Sequence, residues 1–551
     1  FIMPSRTGIE FISPTKGWTS FNHWVRGACI AGIMPANGLV YQPPHPCGCY
    51  MESLLHGFNA LAPAATGKQA KVPQTPRLEK GPAYGSVLAD VARGEREWPT
   101  YRHDAARSGW SKTTVPADLK QTWTTRVGRN LTAPTIAGGK LFTADKDTHS
   151  VHALDAESGK LVWDFVAGGR VDSPPTIHRG RVLFGCRDGF VYCLDAGSGA
   201  LVWRYRAAWA LRSLVAAEQI ESLWPLHGSV LVLGDRLYCV AGRNMFLDGG
   251  MRFVCLDIAT GRRVSETVLN DVDPTTKKDL QFKMQDRNLP VALPDILSSD
   301  SKSIFMKSQK FTLDGRRETV ETSRKAADQM GPDAHLFAPA GFLDSTGFHR
   351  VCMLYGKVFT GGAGSNHAAQ KAAPSGKMLV FDDSRVYGFS RLPHLHRWVR
   401  SLEFHFFAAD KYNRRAAPPR LKKGAKPNTK PPPAGKMIVH MAGDDPKERQ
   451  RLIRSLVGTR VKYEWSNHAP AIYASAMVLA GDSLFAAGPP AIRNEATAQA
   501  LGRWQGKQGG LVKCLARSDG RLLQTCKLTS PPVFDGMAAA YGKLYICLTD
   551  G

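Results

Sequence analysis

The chain has 551 residues, of which 43% are hydrophobic and 22% charged, a composition typical of globular rather than disordered proteins. Its length exceeds one ordinary domain, although a repeat ring can use most of it as one unit. No run of about 18 apolar residues is present, which argues against a transmembrane helix. The net charge of +25 is partly concentrated in residues 411–436, and no interleaving of aromatic and basic residues predicts nucleic-acid binding.

The N-terminal region differs in composition from the rest. Residues 1–62 contain the stretch RTGIEFISPTKGWTSF, which predicts one hairpin at the C-terminal end of a preceding β domain. The same region holds Cys29, Cys47 and Cys49, whose thiols fit a zinc site, a disulfide of an exported protein or free thiols. Residues 63–97 are rich in alanine, proline, glycine and lysine and have no period, which predicts a linker.

Two similar segments, VHALDAESGKLVW at 151–163 and VYCLDAGSGALVW at 191–203, indicate an internal repeat. Each has an alternating run, then an aspartate and a glycine, then a second apolar run that ends in tryptophan. The aspartate can accept hydrogen bonds from the turn backbone and the glycine can adopt positive φ, so each segment predicts a β-hairpin. Weaker copies lie at 253–264 and 511–523.

A second element, a turn followed by a short apolar strand, recurs along the chain. It occurs at residues 139–142, 180–183, 235–238, 302–305, 356–359, 383–387, 482–485 and 542–545. Four short strands in a unit of about 40 residues are typical of a β-propeller blade. We therefore predict an all-β fold over residues 98–551, an eight-bladed propeller of four-stranded blades. Seven blades are the alternative, because the elements at 356 and 383 are close enough to share one blade.

Two further stretches indicate how the ring closes. LKQTWTTRV at 119–127 predicts a lone strand, and the chain stops inside a repeat at KLYICLTDG, as expected for a fragment of a larger protein. We expect the lone strand to complete the last blade and so close the ring. Residues 411–436 are basic, rich in proline and poor in apolar residues, which predicts a disordered insertion.

The repeat V-x-A-L-D-A-x-[ST]-G-x-x-x-W resembles the pyrroloquinoline-quinone (PQQ) repeat. That repeat builds the propellers of quinoprotein alcohol dehydrogenases and of the outer-membrane protein assembly lipoprotein. The opening WPTYRHDAARSG at 98–109 is similar to the start of such propellers in large exported bacterial proteins. The resemblance covers about residues 98–551 and is most specific over 131–265. It implies an exported, periplasmic or cell-envelope protein whose propeller is a monomeric ring within a larger chain.

A resemblance to this family does not by itself imply its chemistry. The dehydrogenases resemble one another in a catalytic aspartate, a calcium site of Glu, Asn and Asp, and a disulfide between adjacent cysteines. This chain has no Cys-Cys pair and no CxxCH haem motif, so we assign no catalytic residue. We expect a binding or scaffolding propeller with a protein or glycan partner. The alternative is a divergent PQQ- and calcium-dependent oxidoreductase acting on alcohols or sugars.

Residues 212–250 depart from the repeat and supply the first candidate site. Loops at one face of a propeller line its central funnel, where ligands bind. A tryptophan could stack on a planar cofactor such as PQQ, and arginines could hold its carboxylates. The candidate cofactor-binding residues are Arg212, Trp224, His227 and Arg243, and the candidate calcium ligands are Glu221, Asn244 and Asp248. The competing interpretation is that Trp224 and His227 pack between blades.

A second candidate cluster lies within HLFAPAGFLDSTGFHR at 335–350. Its polar members are His335, Asp344, His349 and Arg350, residue types that suit a metal ion or general acid–base chemistry. The spacing matches no known motif, so a solvent-facing loop or packing between blades is the alternative. Six other cysteines, at 186, 193, 239, 255, 514 and 547, occupy core-like positions and are interpreted as small buried hydrophobes.

Overall fold

A computed structural model describes residues 1–4, 8–27, 32–43, 55, 57–63, 76–89, 94–283, 293–319, 329, 331–345, 353–358, 372–392, 403–414, 437–491 and 497–551. The regular secondary structure of these residues is almost entirely β-strand, in mostly antiparallel sheets that follow one another along the sequence. This confirms the predicted all-β class. Among the helices in these ranges, none combines the length and the apolar character needed to cross a membrane.

The N-terminal region contributes six short strands. The strands β1 (Ile9–Ser13) and β2 (Trp18–Asn22) form the predicted hairpin, and β3 (Met34–Ala36), β4 (Leu39–Gln42) and β5 (Asn59–Leu61) form a small sheet. Ile9 and Trp24 share a hydrophobic cluster with Phe253 of the propeller, so this region packs directly against the ring. Strand β6 (Leu78–Lys80) lies in the stretch predicted as a linker, yet it pairs with a sheet of the ring.

The first part of the ring is regular. A two-residue strand β7 (Trp110–Ser111) precedes three four-stranded antiparallel sheets, each made of consecutive strands. The first sheet is β8 (Thr135–Ala137), β9 (Lys140–Asp145), β10 (Ser150–Asp155) and β11 (Leu161–Val166). The second is β12 (Thr176–His178), β13 (Arg181–Gly185), β14 (Phe190–Asp195) and β15 (Leu201–Arg206), with β6 added at its outer edge. A separate hairpin, β16 (Ser213–Ala216) and β17 (Gln219–Ser222), precedes the third sheet, β18 (Leu231–Leu233), β19 (Arg236–Ala241), β20 (Met251–Asp257) and β21 (Arg263–Leu269).

The second part is less regular. Two three-stranded sheets contain β22 (Ser298–Ser299), β23 (Ile304–Met306) and β24 (Gln309–Phe311), then β25 (His335–Phe337), β26 (Met353–Gly356) and β27 (Ser375–Gly376). A five-stranded sheet contains β28 (Met378–Phe381), β29 (Arg385–Arg391), β30 (Phe404–Arg414), β31 (Ile438–His440) and β32 (Val461–Asn467), the last preceded by helix α1 (Pro446–Val457). The last two sheets are β33 (Ala476–Ala480), β34 (Ser483–Gly488), β35 (Gly510–Ala516) and β36 (Leu522–Leu528) with β7, and β37 (Pro532–Ala540) with β38 (Lys543–Leu548). Helix α2 (Thr497–Trp504) lies between β34 and β35.

The predicted hairpins are present, and their tryptophans join successive sheets. Trp163, on the fourth strand of one sheet, donates from Nε1 to the carbonyl of Ala196 in the turn of the next sheet, at 3.2 Å. Its ring lies against Gly199, where φ is +74° and an added Cβ would stand 2.7 Å from the ring. Trp203 makes the same contacts with the turn that contains Gly261. The glycine is therefore needed both for its positive φ and for the close approach of the indole.

The first strands of the sheets contact one another around the ring. β8 contacts β12, β12 contacts β18, β28 contacts β33, β33 contacts β37, and β37 returns to β8. This cyclic order is that of a β-propeller, as predicted, whereas the number of blades stays a prediction. Residues 119–127 do not form a paired strand, which corrects the prediction for that segment. Trp123 nevertheless donates to the carbonyl of Ala156 at 3.3 Å, the contact that Trp163 makes one sheet later.

Two other predicted boundaries are wrong. Residues 411–414 belong to strand β30 rather than to a disordered insertion, because Lys411 is buried and donates to the carbonyl of Asp382 at 2.9 Å. Residues 415–436 lie outside the described ranges. The strand predicted to follow a turn at Gly356 is also wrong. Strand β26 ends at Gly356, because the apolar residues before Gly356 form the strand. The six cysteines predicted in the core are all buried and unbridged.

Candidate ligand-binding site

Residues 98–111, the segment that opens with WPTYRHDAARSG, lie where the first strands of the sheets meet. The segment exchanges backbone hydrogen bonds with β8, β12, β22, β28 and β33, through Ile136, Ile177, Ser299, Phe381 and Leu479. Arg102 Nη1 reaches Asp535 of β37 at 2.7 Å. This segment, which we call the central plug, therefore ties the sheets together at the middle of the ring. Its role was not evident from the sequence.

A cluster of basic side chains lies in the loops of one face. Each of four basic residues comes shortly after the second strand of its sheet: Lys146 after β9, Arg187 after β13, Arg243 after β19 and Lys307 after β23. Successive strands of an antiparallel sheet run in opposite directions, so loops after the second strands share one face of a propeller. Arg170 and Asp172 come from the connection between two sheets, which ends at the same face. We call Arg170, Asp172, Arg187, Glu221, His227 and Arg243 the arginine cluster.

Glu221 is the first of two buried carboxylates in the cluster. Its side chain is 1% exposed, and it contacts Arg170 Nη2 at 2.5 Å and Arg243 Nη2 at 2.8 Å. Arg243 Nη2 also lies 3.3 Å from the carbonyl of Ser222. Burial lowers the pKa of Arg243, although Glu221 opposes that shift. The hairpin β16–β17 thus places the Glu221 carboxylate between two arginines that come from different parts of the ring.

Asp172 is the second carboxylate. Arg187 Nη2 donates to it, His227 Nδ1 lies 3.2 Å from Oδ2, and the Gly228 amide donates to Oδ1 at 2.9 Å. Burial alone would raise the pKa of Asp172, but Arg187 and His227 hold it well below its usual value. Asp172 is therefore ionised at neutral pH, and it orients both Arg187 and His227.

Several polar atoms of this site have no hydrogen-bond partner. They are the buried Nε atoms of Arg170, Arg187 and Arg243, together with His227 Nε2, Asn244 Nδ2 and one acceptor, Glu221 Oε1. Buried polar groups in folded proteins nearly always have partners, so a group of such atoms in one place indicates a site for a ligand or ordered water. Lys146 adds to the positive potential: burial lowers its pKa, and it interacts favourably with Asp172.

The structure places the predicted site residues as follows. Trp224 is 1% exposed, packs against Trp209 with ring centroids 4.8 Å apart, and donates from Nε1 to the carbonyl of Asp248 at 3.1 Å. It therefore offers no open face for stacking on a cofactor. Arg212 is exposed at the surface hairpin. Burial raises the pKa of Asp248, while Arg212 and Arg243 lower it, so these three residues are neighbours.

The side chains do not fit a calcium ion well. Arginines already contact both oxygens of Glu221, and Asn244 Oδ1 accepts from the Phe246 amide at 2.8 Å. A calcium ion needs such oxygens free to converge on it. Across the described ranges, no group of three or more His, Cys, Asp or Glu residues is arranged to hold a metal ion. The calcium assignment stays a prediction that these contacts do not favour.

The other predicted sites are only partly described. His335 is buried, stacks on Phe305 at 4.0 Å, and places its two ring nitrogens 2.9 and 2.8 Å from the carbonyls of Asp333 and Lys307. These contacts suit packing between sheets. Asp344 lies in the loop that follows Phe342, at intermediate burial. His349, Arg350, Cys29, Cys47 and Cys49 lie outside the described residues.

Sequence reasoning missed Lys146, Arg170, Asp172 and Arg187. A signal was available, because Asp145-Lys146-Asp147 and Cys186-Arg187-Asp188 occupy corresponding places in successive repeats. In both, a basic residue comes shortly after the second strand. Such a periodic position predicts side chains from different sheets at one face, as the structure places them.

Comparison with known proteins supports the resemblance of the repeat to the PQQ repeat. Residues 90–293 match the PQQ_2 family model, described as outer membrane protein assembly factor BamB, and this range includes the stretch where the repeat is most specific. Among solved structures the chain is similar to a quinohemoprotein alcohol dehydrogenase from Pseudomonas putida HK5, at 12% identity and a TM-score of 0.45, covering 84% of this chain and 78% of that one. BamB from Moraxella catarrhalis is 13% identical with a TM-score of 0.28, covering 77% and 79%. No curated protein matches in sequence.

Proposed function

From the premise that this chain contains a PQQ-repeat β-propeller similar to that of BamB, we propose that it is a binding domain of a larger exported protein. Its recognition surface is the face that carries the arginine cluster and the hairpin β16–β17. A protein is the favoured partner, and a glycan the alternative. The family description, an outer membrane protein assembly factor, supports a role among protein partners in the cell envelope.

The hairpin β16–β17 carries this proposal. It is inserted between two regular sheets and exposes Val215 and Ile220 at 76% and 71%, and Leu211, just before the hairpin, is 61% exposed. Apolar side chains that project together from a surface rimmed by charged residues are typical of protein contacts. Gln219 Oε1 of the same hairpin accepts a hydrogen bond from His149 Nε2 at 3.0 Å, which fixes the hairpin beside the first sheet. A partner that covers the hairpin would also approach the arginine cluster.

A photo-crosslinking experiment tests the recognition surface. A photoreactive residue at position 215 should yield one discrete adduct in cell-envelope extracts, and the substitution Ile220→Asp should abolish it. The same residue at position 268, which is 45% exposed on the outer strand β21, is the matched control. Equal adducts from both positions, or an adduct that survives Ile220→Asp, would contradict this assignment.

The alternative function, a PQQ- and calcium-dependent oxidoreductase, is tested directly. PQQ when bound would supply a redox-active quinone, but the buried Trp224 and the occupied oxygens of Glu221 do not fit such a site. We expect no saturable change of tryptophan fluorescence with PQQ and calcium, and no dye-linked alcohol oxidation. Turnover that depends on both additions would replace the binding proposal with the enzymatic one.

A further inference from the structure

We infer that the arginine cluster binds a phosphate or sulfate group. The inference rests on the proposed function, because it gives the recognition face a specific ligand chemistry. Three guanidinium groups, from Arg170, Arg187 and Arg243, meet beside two carboxylates that they outnumber. Their positive charge is thus not fully neutralised by the side chains they contact.

Each of the three arginines contacts its carboxylate through a single nitrogen. Arg170 and Arg243 reach Glu221 through Nη2, and Arg187 reaches Asp172 through Nη2. The Nε atom of every one of the three is buried without a partner. A guanidinium offers five N–H donors, so each arginine keeps donors for a second acceptor.

The three arginine side chains are partly open to solvent. The side chains of Arg170, Arg187 and Arg243 are 19%, 16% and 25% exposed, whereas Glu221 and Asp172 are 1% and 9% exposed. The cations therefore line the solvent side of the site and the carboxylates lie behind them. This arrangement holds the arginine side chains in place before a ligand arrives, which lowers the entropy lost on binding.

The donors favour an oxyanion with many acceptor positions. The donors without partners come from three arginines and from Asn244 Nδ2. Lys146 adds a cation close to Arg170 and Asp172, and together these residues belong to three different sheets. A phosphate or sulfate group offers oxygens in tetrahedral directions to donors of this kind, whereas one carboxylate offers two oxygens in a plane. Other acidic groups nearby interact with further cations as well as with the cluster: Asp248 with Arg212 and Arg243, and Asp295 with Lys307 and His227.

Calorimetric titration of the 551-residue chain with inorganic phosphate tests the inference. We expect one site per chain, and Arg243→Gln should weaken binding at least about tenfold, as expected for loss of a charged hydrogen bond. Arg236→Gln is the matched control. Arg236 lies at the start of strand β19, at the opposite end from Arg243, and it contacts Asp257 at 3.3 Å. Lys146→Gln should weaken binding severalfold. This substitution leaves Glu221 and Asp172 with their arginine partners, so it provides a second test if Arg243→Gln fails to fold.

The remaining titrations distinguish the sources of the group. Glucose 6-phosphate that binds more tightly than phosphate, with glucose not binding, would indicate a phosphorylated glycan. Equal affinity would indicate the free ion. Acetate that binds as tightly as phosphate, many weak sites per chain, or equal losses for Arg243→Gln and Arg236→Gln would overturn the inference. Its failure would leave the crosslinking test at position 215 unaffected, and the two proposals therefore fail independently.

Discussion

Two groups of arginines lie near the middle of this ring, one buried and one partly exposed, and they differ in how completely they are bonded. In the central plug, every side-chain nitrogen of Arg102 and Arg107 has a partner. Arg107 donates to the carbonyls of Leu297 and Val230 at 2.9 and 3.3 Å and to Thr100 Oγ1 at 2.9 Å. In the arginine cluster, each arginine keeps a buried Nε without a partner.

The difference separates a structural role from a binding role. A fully bonded buried arginine stabilises the fold, because its removal leaves carbonyls and carboxylates without partners. An incompletely bonded one contributes less to the fold and keeps donors for a ligand. Arg181 also has an unpartnered Nε, but it lies apart at the start of β13 and pairs with Asp195. Several such nitrogens in one place, rather than one alone, indicate a site.

The largest expected effect is on the central plug. Arg102→Met leaves Asp535, which is 5% exposed, without its ion-pair partner, and we expect a loss of about 3–5 kcal/mol in the free energy of unfolding. Urea denaturation measures it, with Arg236→Met as an exposed control. A loss as small as that of the control would remove the distinction between the two groups.

The next effect is at Asp172. Asp172→Asn should cost about 1–3 kcal/mol at pH 7, because Arg187 loses its counter-charge. The pKa of Asp172 is lowered in the folded protein, so its contribution is complete above the unfolded pKa of about 4 and is lost as pH falls below it. The difference in stability between the two proteins should therefore shrink progressively as pH falls below about 4, and vanish only below the lowered pKa of the folded state. A gap that stays constant with pH would contradict this ionisation.

Arg243→Gln should have a smaller effect on stability. Glu221 keeps its contact with Arg170, so we expect a loss of about 1 kcal/mol or less, several times smaller than at Arg102. The same denaturation experiment checks it. A loss equal to that of Arg102→Met would assign both arginines to the framework of the ring.

The last expected effect, small on the temperature scale, is stabilisation by a ligand. Phosphate at about ten times its dissociation constant should raise the midpoint of thermal unfolding by about 1–2 °C, because it binds only the folded chain. Arg243→Gln should reduce the shift to about a third or less, because its binding is at least about tenfold weaker, and Arg102→Met should retain the shift. Differential scanning fluorimetry at constant ionic strength measures both. A shift of the same size with sodium chloride would mean general screening of the charge of +25.

Local chemistry made much of the fold predictable. The alternation of the strands, the Asp-to-Gly turns and the closing tryptophans depend on residues a few positions apart, and hairpins such as β10–β11 and β14–β15 follow the sequence closely. Of the predicted turn-and-strand elements, the one at 356 fails, in the less regular part of the ring. There the apolar runs are short and flanked by polar stretches, so the start of a strand is poorly determined locally.

The candidate site depended on distant contacts. The sequence by itself pointed to residues 212–250 and to Arg243, but it ranked Trp224 as a stacking surface, and only packing against Trp209 shows that the ring is buried. Likewise, only the assembled sheets bring Arg170, Arg187 and Glu221 together and place the central plug where the first strands meet. Turn and strand preferences are local properties of the chain, whereas the partners of a buried charge depend on which sheets meet in space.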